Sequence, residues 1–126
     1  MSFKVLQSLN KWEKRNFDYG NADCCQFAGF VVKDLTGKDY LESFEYNSED
    51  KANEIINGHG DLKSTVSSVL GPPTDKIEDG DPCLVKVPYG ELMGIKMGSS
   101  VVCLAKRGFV QISEKNIICG WDKWKQ

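Results

Sequence analysis

The sequence predicts an α+β fold, with helices in the first half of the chain and an antiparallel meander of four or five strands in the second. Three observations predict it. Apolar residues recur at helical spacing as far as Leu70. Gly71-Pro72-Pro73 then stops the last helix. From Cys83 onward, short apolar runs are separated by turns too brief for anything but hairpins. A chain of 126 residues is long enough for one core and too short for two. We therefore read a single domain, 1–126, with a helical half to about residue 71 and a strand half from about 77 to 121.

In chain order, residues 2–15 carry Phe3, Leu6, Leu9 and Trp12, or the nearby Val5, on one helical face, with Lys11, Glu13, Lys14 and Arg15 on the solvated side. Residues 16–21 form a loop by composition. The next helix begins at or beside Cys24. Asp23 is a good N-cap, and Gln26 three residues later completes a capping box. Phe27, Ala28, Phe30, Val31, Val32 and Leu35 bury that helix on most of its circumference, and Gly37 ends it. A short helix over Lys51 to Asn57 follows, capped by Ser48 or Asn47 and broken by Gly58-His59-Gly60. A second, Asp61 to Leu70, buries Leu62, Val66, Val69 and Leu70. The strands are Cys83–Val87, Leu92–Met97, Val101–Ala105 and Phe109–Ile112, with Ile117–Cys119 as a final one. Trp121 and Trp124 are expected to pack back on the sheet or the first helix.

Composition narrows the function. A net charge of −2 with mixed signs leaves no electrostatic footprint for nucleic acid. No apolar run approaches a membrane span, and the polar residues after Phe3 do not form a signal peptide, so we expect no membrane and a cytoplasmic location. Five cysteines, an odd number without regular spacing, fit reduced thiols better than a disulfide framework. No Cys-x-x-Cys occurs and His59 is the sole histidine, so neither a metal nor another cofactor is expected.

Chemistry, if present, centres on Cys24. A thiol at a helix N-terminus meets free amide groups that favour thiolate, although the Asp23 carboxylate works the other way. Adjacent Cys24 and Cys25 face different directions, so at most one is the chemical residue. The plainer reading treats all five cysteines as small core hydrophobes. For a base, His59 between two glycines is placed to swing over Cys24, while Asp18, Asp23 or Asp81 would be weak bases for a thiol. Tyr19 is a hydroxyl donor near Cys24 or a packing aromatic beside a turn.

A capped helix with an N-terminal cysteine, followed by an antiparallel sheet, resembles the papain-like arrangement of the NlpC-type cysteine peptidases. Tyr19-Gly20 leading into Asp23-Cys24-Cys25-Gln26 is similar to that family's nucleophile motif. Gly80-Asp81 matches its Gly-Asp pair, and Leu92-Met93-Gly94-Ile95-Lys96-Met97-Gly98 its histidine strand. The resemblance implies Cys24 at the nucleophile position, with Tyr19, Asp23, Cys25, Leu92 and Leu104 about the cleft. It also exposes a departure. Leu92 stands where the family has its histidine and Leu104 where it has the orienting residue, and neither side chain accepts a proton. Asp-Cys-Cys, Thr36-Gly37-Lys38-Asp39 and Gly94-Ile95-Lys96-Met97-Gly98 further resemble an uncharacterised branch encoded in phage tail-gene clusters. That implies a phage protein in the bacterial host cytoplasm or on the virion. We expect a non-catalytic binding, assembly or accessory protein, its partner a phage or host protein or a small molecule in the cleft. The alternative is a thiol hydrolase or acyltransferase using Cys24 with His59 or another base.

Overall fold

Asp23 Oδ1 accepts the Gln26 backbone N–H at 2.8 Å, and the helix so started, α2 (Cys24–Thr36), is the element on which the others pack. A computed structural model describes residues 3–12, 18, 23–42, 44–106 and 108–124. The Gln26 side-chain amide donates to Tyr46 Oη at 3.5 Å. Gly37, at φ 81°, closes the helix by donating its N–H to the Lys33 carbonyl at 2.7 Å. Within α2, a Cβ on Gly29 would lie 2.4 Å from Leu41 Cδ1, so glycine there lets the returning Tyr40-Leu41 segment cross the helix.

The first helix, α1 (Phe3–Asn10), is shorter than predicted. Lys11 and Trp12 lie in turns closed onto the Ser8 and Leu9 carbonyls, and the rest of the predicted span is outside the described residues. Its buried stripe runs through Val5, Ser8 and Trp12, whereas Leu6 is exposed. Trp12 decides this choice, because its ring sits edge-on to Phe27 at 5.8 Å and to Phe30 at 5.3 Å. The third helix, α3 (Glu49–His59), is capped by Ser48 as expected and runs through Gly58 to His59. It stops where Gly60 takes a positive φ of 104°. The fourth, α4 (Leu62–Leu70), is capped by Asp61 and buries Thr65, Val66 and Leu70.

Five antiparallel strands follow: β1 (Pro82–Val87), β2 (Gly90–Met97), β3 (Ser100–Ala105), β4 (Gly108–Ser113) and β5 (Ile117–Gly120). The α+β order of the sequence reading is what the chain adopts. The strand order is β4-β3-β2-β1-β5, so the last strand leaves the meander and pairs beside the first. This has a geometric consequence. Opposite edges of a flat five-stranded sheet stand about 19 Å apart, at ~4.8 Å per strand. The chain from Ser113 to Ile117 spans at most ~14 Å, less with a 3-10 turn between them. The sheet must therefore roll, and its inner face becomes a second core of Cys83, Val85, Val101 and Cys103, met by Val110 and Ile112 from one edge and Ile117 from the other. The outer face, with Leu84, Met93, Ile95, Met97 and Leu104, packs on α1, α2 and α4.

Gly80-Asp81 has a structural role. The Asp81 carboxylate is nearly fully buried with Lys123, Nζ to Oδ1 at 3.0 Å, and also accepts the Lys123 and Glu78 backbone N–H groups. Removing one partner of such a pair costs about 3–5 kcal/mol, so this clamp fixes the C-terminal segment to the start of β1. Trp121 packs back as expected, buried, with Nε1 donating to Ser67 Oγ at 3.2 Å. Trp124 does not; it is 62% exposed.

One irregularity positions the site. β3 pairs with β4 along its full length and β1 with β2 likewise, but β2 meets β3 only from Ile95 to Met97. Towards Gly90, β2 leaves its neighbour. The sheet is split there, and the N-terminus of α2 lies at the split.

Candidate functional site

A cleft of about 820 Å³ opens at this split. Asp23, Cys24 and Cys25 form its floor, Glu91 and Leu92 of β2 one lip, and Ala105, Lys106 and Val110 the other. The fourth wall is α3, which presents Glu49, Ala52, Asn53 and Ile56, residues three or four apart on one face. Tyr46 lines the inner end and Tyr89 the hairpin tip. Lys106 Nζ lies 3.7 Å from Glu49 Oε2, linking the β3–β4 turn to the start of α3.

The hydrogen-bond register explains why Met93 faces the cysteine. Lys96 exchanges hydrogen bonds with Gly80 and Asp81 on the β1 side, so two-residue alternation turns the amides of Ile95 and Met93 to the β3 side. Ile95 finds β3 there, whereas Met93 lies beyond the last paired residue. Its backbone group hydrogen-bonds Cys24 instead. Both Cys24 and Cys25 are half-buried free thiols. The Cys25 S–H donating to Cys24 and the Met93 amide together hold the Cys24 thiol below its ordinary range, against burial and the Asp23 charge. Cys25 is pushed well up, by the same hydrogen bond, by burial and by the charges beside it. Of the pair, Cys24 is therefore the thiol that gives up its proton first. Tyr46 is raised by burial, then by Cys25 and Asp23, and its hydroxyl donates to the Asp23 carboxylate.

The structure brings Asp23, Cys24, Cys25 and Leu92 together as the sequence reading grouped them. Leu104 is a correction: it is fully buried in the core and does not line the cleft, because its β3 position turns it towards α2. Tyr19 and the Tyr19-Gly20 loop lie outside the described residues. His59 is a second correction. It is not in a swinging loop but in the last turn of α3, exposed, with its ring edge-on to Phe44 at 6.0 Å and Nδ1 donating to the Ile55 carbonyl at 3.0 Å. It is not among the residues lining the cleft.

The α3 wall was missed from sequence. Its signal was present, since Ala52, Ile55 and Ile56 form an apolar stripe on an otherwise polar helix. Among the described residues no group of three or more His, Cys, Asp or Glu is arranged to hold a metal ion, and no helix is long and apolar enough to cross a membrane. Residues 4–122 match the model of a family described as a domain of unknown function (DUF6950). No curated protein matches the chain.

Proposed function

The chain belongs to the DUF6950 family, whose description carries no activity, and from the geometry we propose a ligand-binding domain whose cleft keeps a thiol of lowered pKa at Cys24 without an acid–base partner for it. The observation that carries this is the placement of Leu92 in the cleft wall while the sole histidine is held elsewhere by Phe44 and Ile55. Peptide hydrolysis needs a group that protonates the departing amine and then activates water. Asp23 is poorly placed for either task, since the Gln26 amide and the Tyr46 hydroxyl already occupy its carboxylate. The apolar walls, two tyrosines and an excess of carboxylates over lysine suit a neutral or cationic ligand. The setting we propose, on the motif resemblance, is a phage accessory or assembly protein that binds a phage partner, a host protein or a small host molecule.

A second reading is favoured by the lowered Cys24 thiol. A thiol hydrolase or acyltransferase would use the same thiolate with a base. The pH profile of Cys24 alkylation in the folded protein separates the two, with Cys24→Ser as control. We expect Cys24 to react below the ordinary thiol range and His59→Ala to leave the profile unchanged. A profile that moves on removing His59 would restore the dyad and make the binding reading wrong.

A further inference from the structure

Cys24 and Cys25 are the cysteines that line the large cleft. Cys83 and Cys103 are fully buried and Cys119 nearly so, which leaves the half-buried cleft pair to meet a reagent that enters from solvent. Of the two, Cys24 gives up its proton first, and it also holds the Met93 backbone hydrogen bond where β2 has left β3. The cleft it opens on, about 820 Å³, lies within the range of small-molecule sites, roughly 300–1,000 Å³.

Two features of the floor limit what a nucleophilic sulfur can do there. The cleft wall carries Leu92 and not His59, so a departing peptide amine finds no imidazole to protonate it. A disulfide makes no such demand, because the sulfur that departs leaves as a thiolate. Cys24 and Cys25 are also consecutive in the first turn of α2. Their Cα atoms stand about 3.8 Å apart, under the range of about 4.4–6.8 Å that disulfides span. Cys25 is therefore badly placed to expel a group from Cys24 by closing a ring onto it, and an adduct at Cys24 persists. The walls select the group. Ala52, Ile56, Leu92 and Val110 give the cleft an aliphatic lining. Asp23, Glu49 and Glu91 set carboxylates around it against Lys106, which is itself paired with Glu49 at 3.7 Å. Such a field draws cations in and turns anions away.

We propose that Cys24 is an attachment site for a small aliphatic thiol bearing a positive charge, taken up from its disulfide by exchange. The Cys24 sulfur attacks one sulfur of the incoming disulfide. A new S–S bond forms, the old one breaks, and the second half departs as a thiolate that solvent protonates. Cys24 is oxidised and the departing sulfur reduced, so the disulfide itself is the oxidant. The proposal rests on the binding reading above, in which Cys24 has no acid–base partner, and it names the class of the ligand and its covalent link.

Three disulfides test it: cystamine, hydroxyethyl disulfide and dithiodipropionate, cationic, neutral and anionic in turn. Each is added to the whole reduced protein at neutral pH, with adducts counted by intact mass and released thiol by absorbance. Each rate is divided by that of N-acetylcysteinamide, which removes the reagent's intrinsic reactivity. Cystamine should modify the protein faster than this free thiol, giving one adduct per chain, one equivalent of released thiol and no adduct on Cys24→Ser. After the correction it should outpace dithiodipropionate about tenfold, an advantage that fades in high salt. Glu91→Lys, at an exposed position on the lip, should cut that preference at least about threefold. The proposal is overturned if cystamine reacts no faster than with the free thiol, or if Cys24→Ser takes up as much. It is equally overturned if a second equivalent of thiol appears as the adduct is lost, if dithiodipropionate matches cystamine, or if Glu91→Lys leaves the preference intact. A Cys24 alkylation profile that moved with His59 would strike the binding reading even with the adduct in place. A missing adduct with that profile unmoved would strike the exchange alone.

Discussion

The floor of the cleft and the inside of the rolled sheet each hold two cysteines, and the same side chain behaves in opposite ways in the two places. At the start of α2, Cys24 meets a thiol donor from Cys25 and the amide of Met93, and its charged form is favoured. Inside the sheet, Cys83 and Cys103 are fully buried among Val85 and Val101. Burial there pushes the Cys83 thiol up to about 12 and raises Cys103 also. The lesson is that sulfur becomes reactive where backbone pairing stops. Donors that a complete β2–β3 ladder would have consumed are released at the split, and a few residues away, where the ladder is intact, a thiol is only a small apolar group.

Gly94 stands at the boundary between the two regions, and changing it should give the largest effect. A Cβ there would lie 2.5 Å from Cys103 Sγ, 2.6 Å from Val101 Cγ1 and 2.6 Å from the Val102 carbonyl oxygen. Side chains can shift, but the carbonyl is held between the strands by the β2–β3 pairing of Val102 with Ile95. We expect Gly94→Ala to lose about 3 kcal/mol in urea unfolding, as overpacking of a tight core does. It should also extend the split and admit alkylating reagent to Cys103. A loss under about 0.5 kcal/mol would mean that β2 and β3 are not this close, and the contrast between split and intact sheet would collapse.

The second effect is a pH dependence, and its sign differs between the regions. Cys24, held low in the folded state, contributes stability that is present above the ordinary thiol value and lost as pH falls through its folded value. Cys83 is the reverse. Between its ordinary value of 9.0 and about 12, the unfolded chain gives up the proton while the folded chain keeps it, so stability falls as pH rises through that window. The slope is about 1.4 kcal/mol per pH unit for such a thiol, hence about 2 kcal/mol by pH 10.5. Cys83→Val should flatten this alkaline limb, measured by urea unfolding from pH 8 to 10.5. An unchanged slope would assign the alkaline loss to other groups and remove Cys83 from the contrast.

Much of this was legible in the sequence because it is local. Asp23 and Ser48 announced their helices, Gly37 ended α2, and the strand runs from Cys83 to Ile112 needed only period-two alternation and short turns. Cys24, Cys25, Asp23 and Leu92 could be grouped in advance for the same reason, each occupying a fixed place on its own element. What failed was decided at a distance. Val5 and Leu6 fit a helical stripe equally well, and the Trp12 contact with Phe27 and Phe30 chose between them. Gly58 read as a breaker, yet a single glycine is tolerated inside a helix at a cost of about 1 kcal/mol. The position of β5 beside β1 and the turning of Leu104 into the core are tertiary facts with no local signature, and the apolar stripe of α3 shows a buried face without showing that it walls the cleft. The anchoring of His59 against Phe44 belongs with them, since nothing between Gly58 and Gly60 specifies it.

The smallest effect sharpens the comparison most, because it separates the two donors at Cys24. Cys25→Ala leaves the helix start, the Met93 amide and the cleft in place and removes only the S–H that Cys25 gives to its neighbour. Alanine is the best helix former, so folding should not suffer. A hydrogen bond to a charged sulfur contributes on the order of 1 kcal/mol or slightly more, which is about a fivefold fall in the thiolate fraction at neutral pH. Cys24 alkylation at pH 7 should slow by that factor, and Cys25→Ser, which retains a hydroxyl donor, should recover most of it. If both variants react at the unaltered rate, the adjacent thiol contributes nothing. The Met93 amide and the first turn of α2 then hold the thiolate by themselves, and the split in the sheet is sufficient without a second cysteine.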